Sequence, residues 1–390
     1  MGTTLVVNPG SSSKKYALYS CGRQVMSIRF EKTGKGFELC TQIPGGESQT
    51  ESTTQDEFIN SVQRVQELVD KYIFREKVSQ VYSVVIRVVA PGTYFQQHAE
   101  INDDYLSKLK AKTKAAPIHI PIILREIEDV KKVFKNIKVI AASDSEFHKD
   151  MPRHARIYSV DRKDTEELDL YRFGYHGLSV SSIVNRIHGI VGIDPENLVV
   201  CHLGSGCSVT AVKKGIGVET TMGFSPTSGL PMSSRAGDLD SSALLYMMSV
   251  KGWKPKEAEL YLNTRGGLVG LSGESDIRRL LDLRAKQDEG AITALDTFAY
   301  SVRKAIAVST AALGGIDVIV LTATAAVRSS ELRSLVLANL EYLGVMISKD
   351  RNEMMVGRDG IISIHNSPVK VVVMRTDEMG EMAAVATRFN

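Results

Sequence analysis

The stretch "LVVNPGSSSKKYALY" near the start of the chain has a counterpart in its middle, "LVVCHLGSGCSVTAV". Each is an apolar β-type run, a glycine and serine turn, and a second apolar run. One such turn constrains little, because glycine and serine serve ordinary hairpins. Its recurrence in a chain of 390 residues constrains far more. It points to two domains of related topology, each opening on the same hairpin. The segments after each hairpin agree. "VVIRVV" and "IDVIVLT" are nearly continuous aliphatic runs, the pattern of strands buried on both faces. Between them the apolar period changes to that of helices. Phe58, Ile59, Val62, Val65, Leu68 and Val69 predict one helix over 57–74. Similar patterns predict helices over 120–134, 242–249, 275–286, 291–313, 329–345 and 377–389. Strands alternating with helices make the fold class α/β.

The formal net charge of +3 is small for this length and implies no broad nucleic-acid patch. No apolar run reaches the roughly 20 residues that a membrane-spanning helix needs. The N-terminus lacks the basic-then-apolar pattern of a secretory signal. Cys21, Cys40, Cys201 and Cys207 are scattered, with no Cys-x-x-Cys pair, so neither a zinc site nor a disulfide framework is expected. A cytoplasmic, reducing location fits.

Polar groups are set into this apolar frame at a few places. Glycine lets backbone N–H groups approach a polyanion closely, and hydroxyls add donors. Ser11, Ser13 and Lys15 in the first turn, and Gly204, Ser205 and Gly206 in the second, are therefore candidates for gripping phosphate from two sides. Arg87 sits inside "VVIRVV", and arginine is rarely buried without an anion. The plain alternative is a strand-edge arginine paired with a structural carboxylate. Asp144 ends an apolar strand in "AASD", where α/β folds place their ligands; an N-cap explains it equally well. His176 lies between glycines in "FGYHGLS", which suits close ligand approach, although a lone histidine is more often structural. Arg235, Asp238 and Asp240 share a long polar loop, whose plain reading is a surface salt bridge. Asp377 and Glu378 follow the last strand and either reach a ligand or cap the last helix.

Taken in order, these motifs resemble the acetate kinase family, within the superfamily of acetate and sugar kinases, Hsp70 and actin. The resemblance runs end to end. It is carried by "NPGSSSKK", "IRVV", "APIHIP", "DSEFH", "YRFGYHGLS", "HLGSGCSVTAVKKG", "TTMGFSPTSGL", "SRAGDLD", "GLVGLSGESDIR", "ALDTFAYSVRKAI" and "RTDEM". It implies two actin-like (ribonuclease H-like) α/β domains of duplicated topology with a cleft between them. Residues 1–148 with 380–390 would form the N-terminal domain, and 149–379 the C-terminal domain with the nucleotide site. It also implies a homodimeric phosphotransferase. Such an enzyme makes acyl phosphate from ATP and a short-chain carboxylate such as acetate, reversibly, by direct in-line transfer with Mg²⁺.

By the same resemblance, Asn8 and Glu378 match residues that organise Mg²⁺. Arg87 and Arg235 match the arginines flanking carboxylate and phosphoryl group, with Asp144 the acidic residue beside them. His119, His176 and His202 match the active-site histidines. Val89, Ile118, Tyr175 and Pro226 match the acyl pocket, and Asp276, Ile277 and Arg278 the neighbourhood of the adenine. The physics is compatible: bringing a carboxylate up to a polyphosphate needs several cations, and arginine binds both anions bidentately. Phosphoryl transfer then needs alignment and charge stabilisation more than covalent help.

The sequence departs from the family pattern most sharply after "IDVIVLT". A loop that reads Gly-Gly-Ile-Gly-Glu-Asn in the family is here Ala323-Thr324-Ala325-Ala326-Val327-Arg328. Each glycine lost adds a Cβ where backbone approaches the nucleoside and disfavours positive φ. A reshaped or filled adenosine pocket is expected. Ile86, Ala90-Pro91, Ile120 and Ser205 are further departures. The residues leave three readings open. The first is an ATP-dependent carboxylate kinase. The second is the same chemistry with pyrophosphate or another nucleotide as donor. The third is a non-catalytic protein on this fold, against which the crowding of Arg87, Asp144, His176, Arg235 and Glu378 argues.

Overall fold

The computed structural model describes residues 2–34 and 36–389. They form two compact units, one running to Glu146 and resuming at Asp377, the other spanning Phe147–Thr376. The divisions fall a few residues before those expected.

The first unit holds β1 (Thr3–Asn8), β2 (Ser13–Ser20), β3 (Arg23–Thr33), β4 (Gly36–Gln42), β5 (Ser48–Thr53), β6 (Val81–Val88), β7 (Ala99–Glu100) and β8 (Lys138–Ser143). Their order is β5-β4-β3-β2-β1-β6-β8-β7. β1, β6 and β8 are parallel, while β1 through β5 form an antiparallel meander. The second unit holds β9 (Asn197–Leu203), β10 (Cys207–Lys213), β11 (Ile216–Thr220), β12 (Val318–Thr322), β13 (Gly360–Ile361) and β14 (Lys370–Val373). They are ordered β11-β10-β9-β12-β14-β13, with β9, β12 and β14 parallel. The strand orders β3-β2-β1-β6-β8 and β11-β10-β9-β12-β14 are therefore one topology built twice. The duplicated α/β fold expected from the repeated hairpin is present. Its central strands are apolar throughout because both faces are covered: Leu5 to Val7, Val84 to Ile86 and Val318 to Leu321 are fully buried.

Two helices differ from expectation. The segment 57–74 is two helices, Gln55–Ile59 and Ser61–Glu76. They are split at Asn60, whose φ of −100° and ψ of 30° leave the helical region. The segment 329–345 stays helical only over Ser330–Leu337; Asn339 then takes a left-handed φ of 63°. The helix Glu289–Leu313 does end at Gly314, with φ 79°, and lies against β9 to β11.

Strand alternation also sorts the two lysines of the first hairpin. Lys14 and Tyr16 point inward from β2, where Lys14 pairs with buried Glu126 at 2.8 Å and the Tyr16 hydroxyl donates to the same carboxylate at 2.5 Å. Lys15 points to solvent. All four cysteines are free. Among the described residues no helix is long and apolar enough to cross a membrane.

Candidate active site

In the first unit, β1, β6 and β8 run parallel and end together. Val7 pairs with Ile86, and Val88 with Ser143. Strands in register bring Asn8, Arg87 and Asp144 to one sheet end, the place where α/β sheets bind ligands. Arg87 donates from Nε to Asp144 Oδ1 at 3.1 Å and from Nη2 to Oδ2 at 2.8 Å. Its Nη1 donates to Asn8 Oδ1 at 3.4 Å. Asp144 is 1% exposed and Arg87 19%. Burial opposes the guanidinium charge, but the carboxylates of Asp144 and Glu378 outweigh it and hold Arg87 well above the ordinary arginine pKa.

The two acidic residues after the last strand divide their roles. Asp377 caps the helix Glu378–Ala386, accepting from the Gly380 N–H at 3.0 Å. Glu378 opens that helix, which packs on β1 and β6, and its charge is felt at Arg87. The β1–β2 hairpin closes on the Asn8–Lys15 pair. Ser11 is exposed in its turn and Ser13 opens β2. A Cβ on Gly10 would lie 2.7 Å from the Ser13 carbonyl oxygen, so the turn requires glycine. Val89 follows β6, while Ile118 and His119 precede the helix Ile120–Val133; all three are half-buried.

In the second unit the turn Gly204-Ser205-Gly206 joins β9 to β10, closed by the Gly204 N–H on the Gly206 carbonyl at 3.0 Å. A Cβ on Gly206 would come within 3.2 Å of His176 Nε2 and 3.8 Å of Arg235 Nη1. One on Gly204 would come within 3.4 Å of the Ala323 Cβ and 3.8 Å of His202 Nε2. The turn thus gathers His176, His202, Arg235 and Ala323. The two imidazoles stack with centroids 4.0 Å apart. Their Nδ1 atoms are held by Ser208 Oγ at 2.9 Å for His176 and Ser179 Oγ at 2.8 Å for His202. His176 takes φ 58° ahead of the helix Gly177–Val184, an uncommon backbone for a residue with a side chain. Arg235 Nη1 donates to the Pro226 carbonyl at 3.2 Å, and the Tyr175 hydroxyl to the Phe224 carbonyl at 2.7 Å. Two site residues thereby grip one short segment. Asp276 and Arg278 form a separate, exposed pair at 2.6 Å, with Asp276 capping the helix Ile277–Ala285.

The segment Ala323–Arg328 is a short helix, where the sequence comparison implied a loop. Alanine's helix propensity explains the difference. Ala323 enters it at φ 68°, so the left-handed backbone expected to need glycine is kept by an alanine. Thr324, Ala325 and Ala326 have no positive φ. Sequence reasoning passed over Arg333. It is fully buried and donates from Nη1 to the carbonyls of Ala326 and Val327 at 2.6 and 3.2 Å, and from Nε to Asn352 Oδ1 at 2.6 Å. Burial lowers its pKa to about 10, which leaves it charged at neutral pH. The signal was an arginine on the apolar stripe of Leu332, Val336 and Leu337. His148 was also missed: its Nε2 meets the Tyr175 carbonyl at 3.0 Å, and its ring occupies the space a Cβ on Gly174 would need.

The family model for acetokinases matches residues 3–384. The acetate kinase of Caldanaerobacter subterraneus subsp. tengcongensis is 36% identical over 386 residues, covering 96% of this chain and 95% of that protein. That of Acetivibrio thermocellus is 33% identical over 395 residues, with 98% of each covered. The crystal structure of Porphyromonas gingivalis acetate kinase superposes with a TM-score of 0.85 at 28% identity, covering 100% of this chain and 99% of that one. A propionate kinase from Francisella tularensis subsp. tularensis gives 0.87 at 28% identity, with 98% of each covered.

Proposed function

The chain belongs to the acetokinase family, whose members phosphorylate a carboxylate with ATP, and we propose that Arg87, Asp144 and the two glycine–serine hairpins are the working parts of such a kinase here. The product is an acyl phosphate, made from a short-chain acid such as acetate by direct in-line transfer. The observation that carries this reading is the bidentate Arg87–Asp144 contact at the joined ends of β6 and β8. Asp144 keeps Arg87 charged and aimed, and a guanidinium so held suits a carboxylate or phosphoryl oxygen.

The acid's own oxygen attacks the γ-phosphorus, so no nucleophilic side chain is needed. Lys15 and the first hairpin, with the N–H groups of Ser205 and Gly206 in the second turn, bind the donor phosphates. His176 and His202 present Nε2 beside that second turn, their Nδ1 atoms being fixed by serine hydroxyls. Arg235 supplies the second cation, and His119 joins the polar lining of the site. Val89, Ile118, Tyr175 and Pro226 measure the acyl chain. One methylene there discriminates by about 1–3 kcal/mol, so acetate and propionate are both turned over. Asp276, Ile277 and Arg278, with the helix Ala323–Arg328, face the nucleoside. Asn8 and Glu378 would hold Mg²⁺: both bring oxygen donors to the Arg87 end of the sheet, which suits a hard cation that keeps water and phosphate in its shell. When bound, it would neutralise phosphate charge. The comparisons lend no support to pyrophosphate or another nucleotide as donor. The protein acts as a homodimer in the cytoplasm, a reading supported by the apolar-rich helix Ser241–Lys251, which buries none of its residues, and by four free cysteines.

The test is an acyl-hydroxamate assay with acetate, ATP and Mg²⁺. Arg87→Ala and Asp144→Asn should each lower kcat by about 100-fold or more. Turnover near wild type in both variants would remove the pair from the mechanism.

A further inference from the structure

Asp144 is only useful if its carboxylate stays where Arg87 can meet it. We infer that His98 is the positioning residue for this pair, acting through the backbone of Ser143; the inference rests on the catalytic role proposed for Arg87 and Asp144. β8 is flanked on its outer side by the two-residue β7, and that pairing ends at Ala99 and Ala141. Past this point the last N–H groups of β8 need another partner. The His98 imidazole takes the place of the missing strand: its Nδ1 accepts from the Ser143 N–H at 3.0 Å. The side chain is 9% exposed.

A backbone N–H only donates, so Nδ1 carries the lone pair and Nε2 carries the ring proton. Nε2 faces the Glu146 carboxylate at 3.8 Å. The Nδ1 edge makes the tie, and the residue it holds is itself a hub. Ser143 Oγ donates to the Phe95 carbonyl at 2.5 Å and accepts from the Ser145 N–H at 3.1 Å. The Asp144 N–H donates to the Val88 carbonyl at 3.0 Å, one residue from Arg87. The residues on both sides of Asp144 are therefore fixed by a set of bonds that His98 completes. A shift of about 1 Å at a reacting centre costs up to about 100-fold in rate, so loosening this turn is felt in kcat rather than in nucleotide binding.

Three variants separate this role from packing. In asparagine the side-chain oxygen lies near the position of Nδ1, and in glutamine near that of Nε2. His98→Leu should lower kcat about tenfold or more, with the KM for nucleotide little changed. His98→Asn should restore most of the rate, and His98→Gln should not. Should the leucine variant fail to fold, the asparagine and glutamine pair decides alone. Wild-type kcat in all the variants, an equal loss in asparagine and glutamine, or rescue by glutamine instead of asparagine would each overturn the assignment. Arg87→Ala and Asp144→Asn are assayed alongside. If those two retain turnover, the catalytic reading falls and this inference with it. If they abolish turnover while the His98 variants match wild type, only the positioning role falls.

Discussion

Arg87 illustrates what a single residue reveals before folding. Its place inside "VVIRVV" signals a buried cation in need of an anion, but not which anion. The structure supplies Asp144, the paired carboxylate that the plain reading of Arg87 called for. Glu219 makes the converse case. Nothing in "GVETT" marks it, yet on β11 it lines a cavity of about 530 Å³ beside Arg172. Burial raises its pKa, and Arg172 offsets this only in part. The folded state therefore holds the proton more readily than the unfolded chain. Relative stability is full below the ordinary glutamate value and is lost as pH rises through the folded value. Glu219→Gln should raise the thermal midpoint at neutral pH, with the gain shrinking toward about pH 4. A gain that instead grew on acidification would show that the charge is stabilising.

At the scale of elements, strands were more legible than helix ends. A strand buried on both faces announces itself by composition, whereas helix ends depend on local competition. One predicted helix breaks where Asn60 takes φ −100° and ψ 30°, and another ends where Ala338 turns to ψ 142° ahead of the left-handed Asn339. The helix Ala323–Arg328 is the most informative case, because its alanines favour a helical turn while its first residue must adopt φ 68°. Glycine should therefore have opposite effects within one turn. At Ala323 it relieves a left-handed strain of about 1–2 kcal/mol, offset by its own entropic cost, so Ala323→Gly should leave stability unchanged or slightly higher. Ala326 has an ordinary helical backbone, its carbonyl is held by Arg333, and Ala326→Gly should cost about 1 kcal/mol. Urea denaturation of the two variants reads the difference; equal losses would mean that the backbone at Ala323 is unstrained.

On the scale of the whole molecule, the helix Ser241–Lys251 has no buried residue although it is rich in apolar ones. Leu245, Tyr246 and Val250 are 64%, 71% and 67% exposed. Leu260 and Tyr300, on neighbouring helices around the same cavity, are exposed too. A second copy of this chain would cover such a face. Light scattering should give twice the 42.7 kDa of one chain, and Tyr246→Glu with Val250→Glu should give the monomer mass. A monomeric wild type would refute the dimer. By itself the sequence determined the duplicated α/β topology and the family, because period, order and turn chemistry are local properties that survive in a linear string. Only the tertiary structure decided which groups meet. Arg87 and Asp144 lie 57 positions apart, and His98 and Ser143 45. Strand register selects such pairs, and register depends on how whole sheets pack, which no local pattern records.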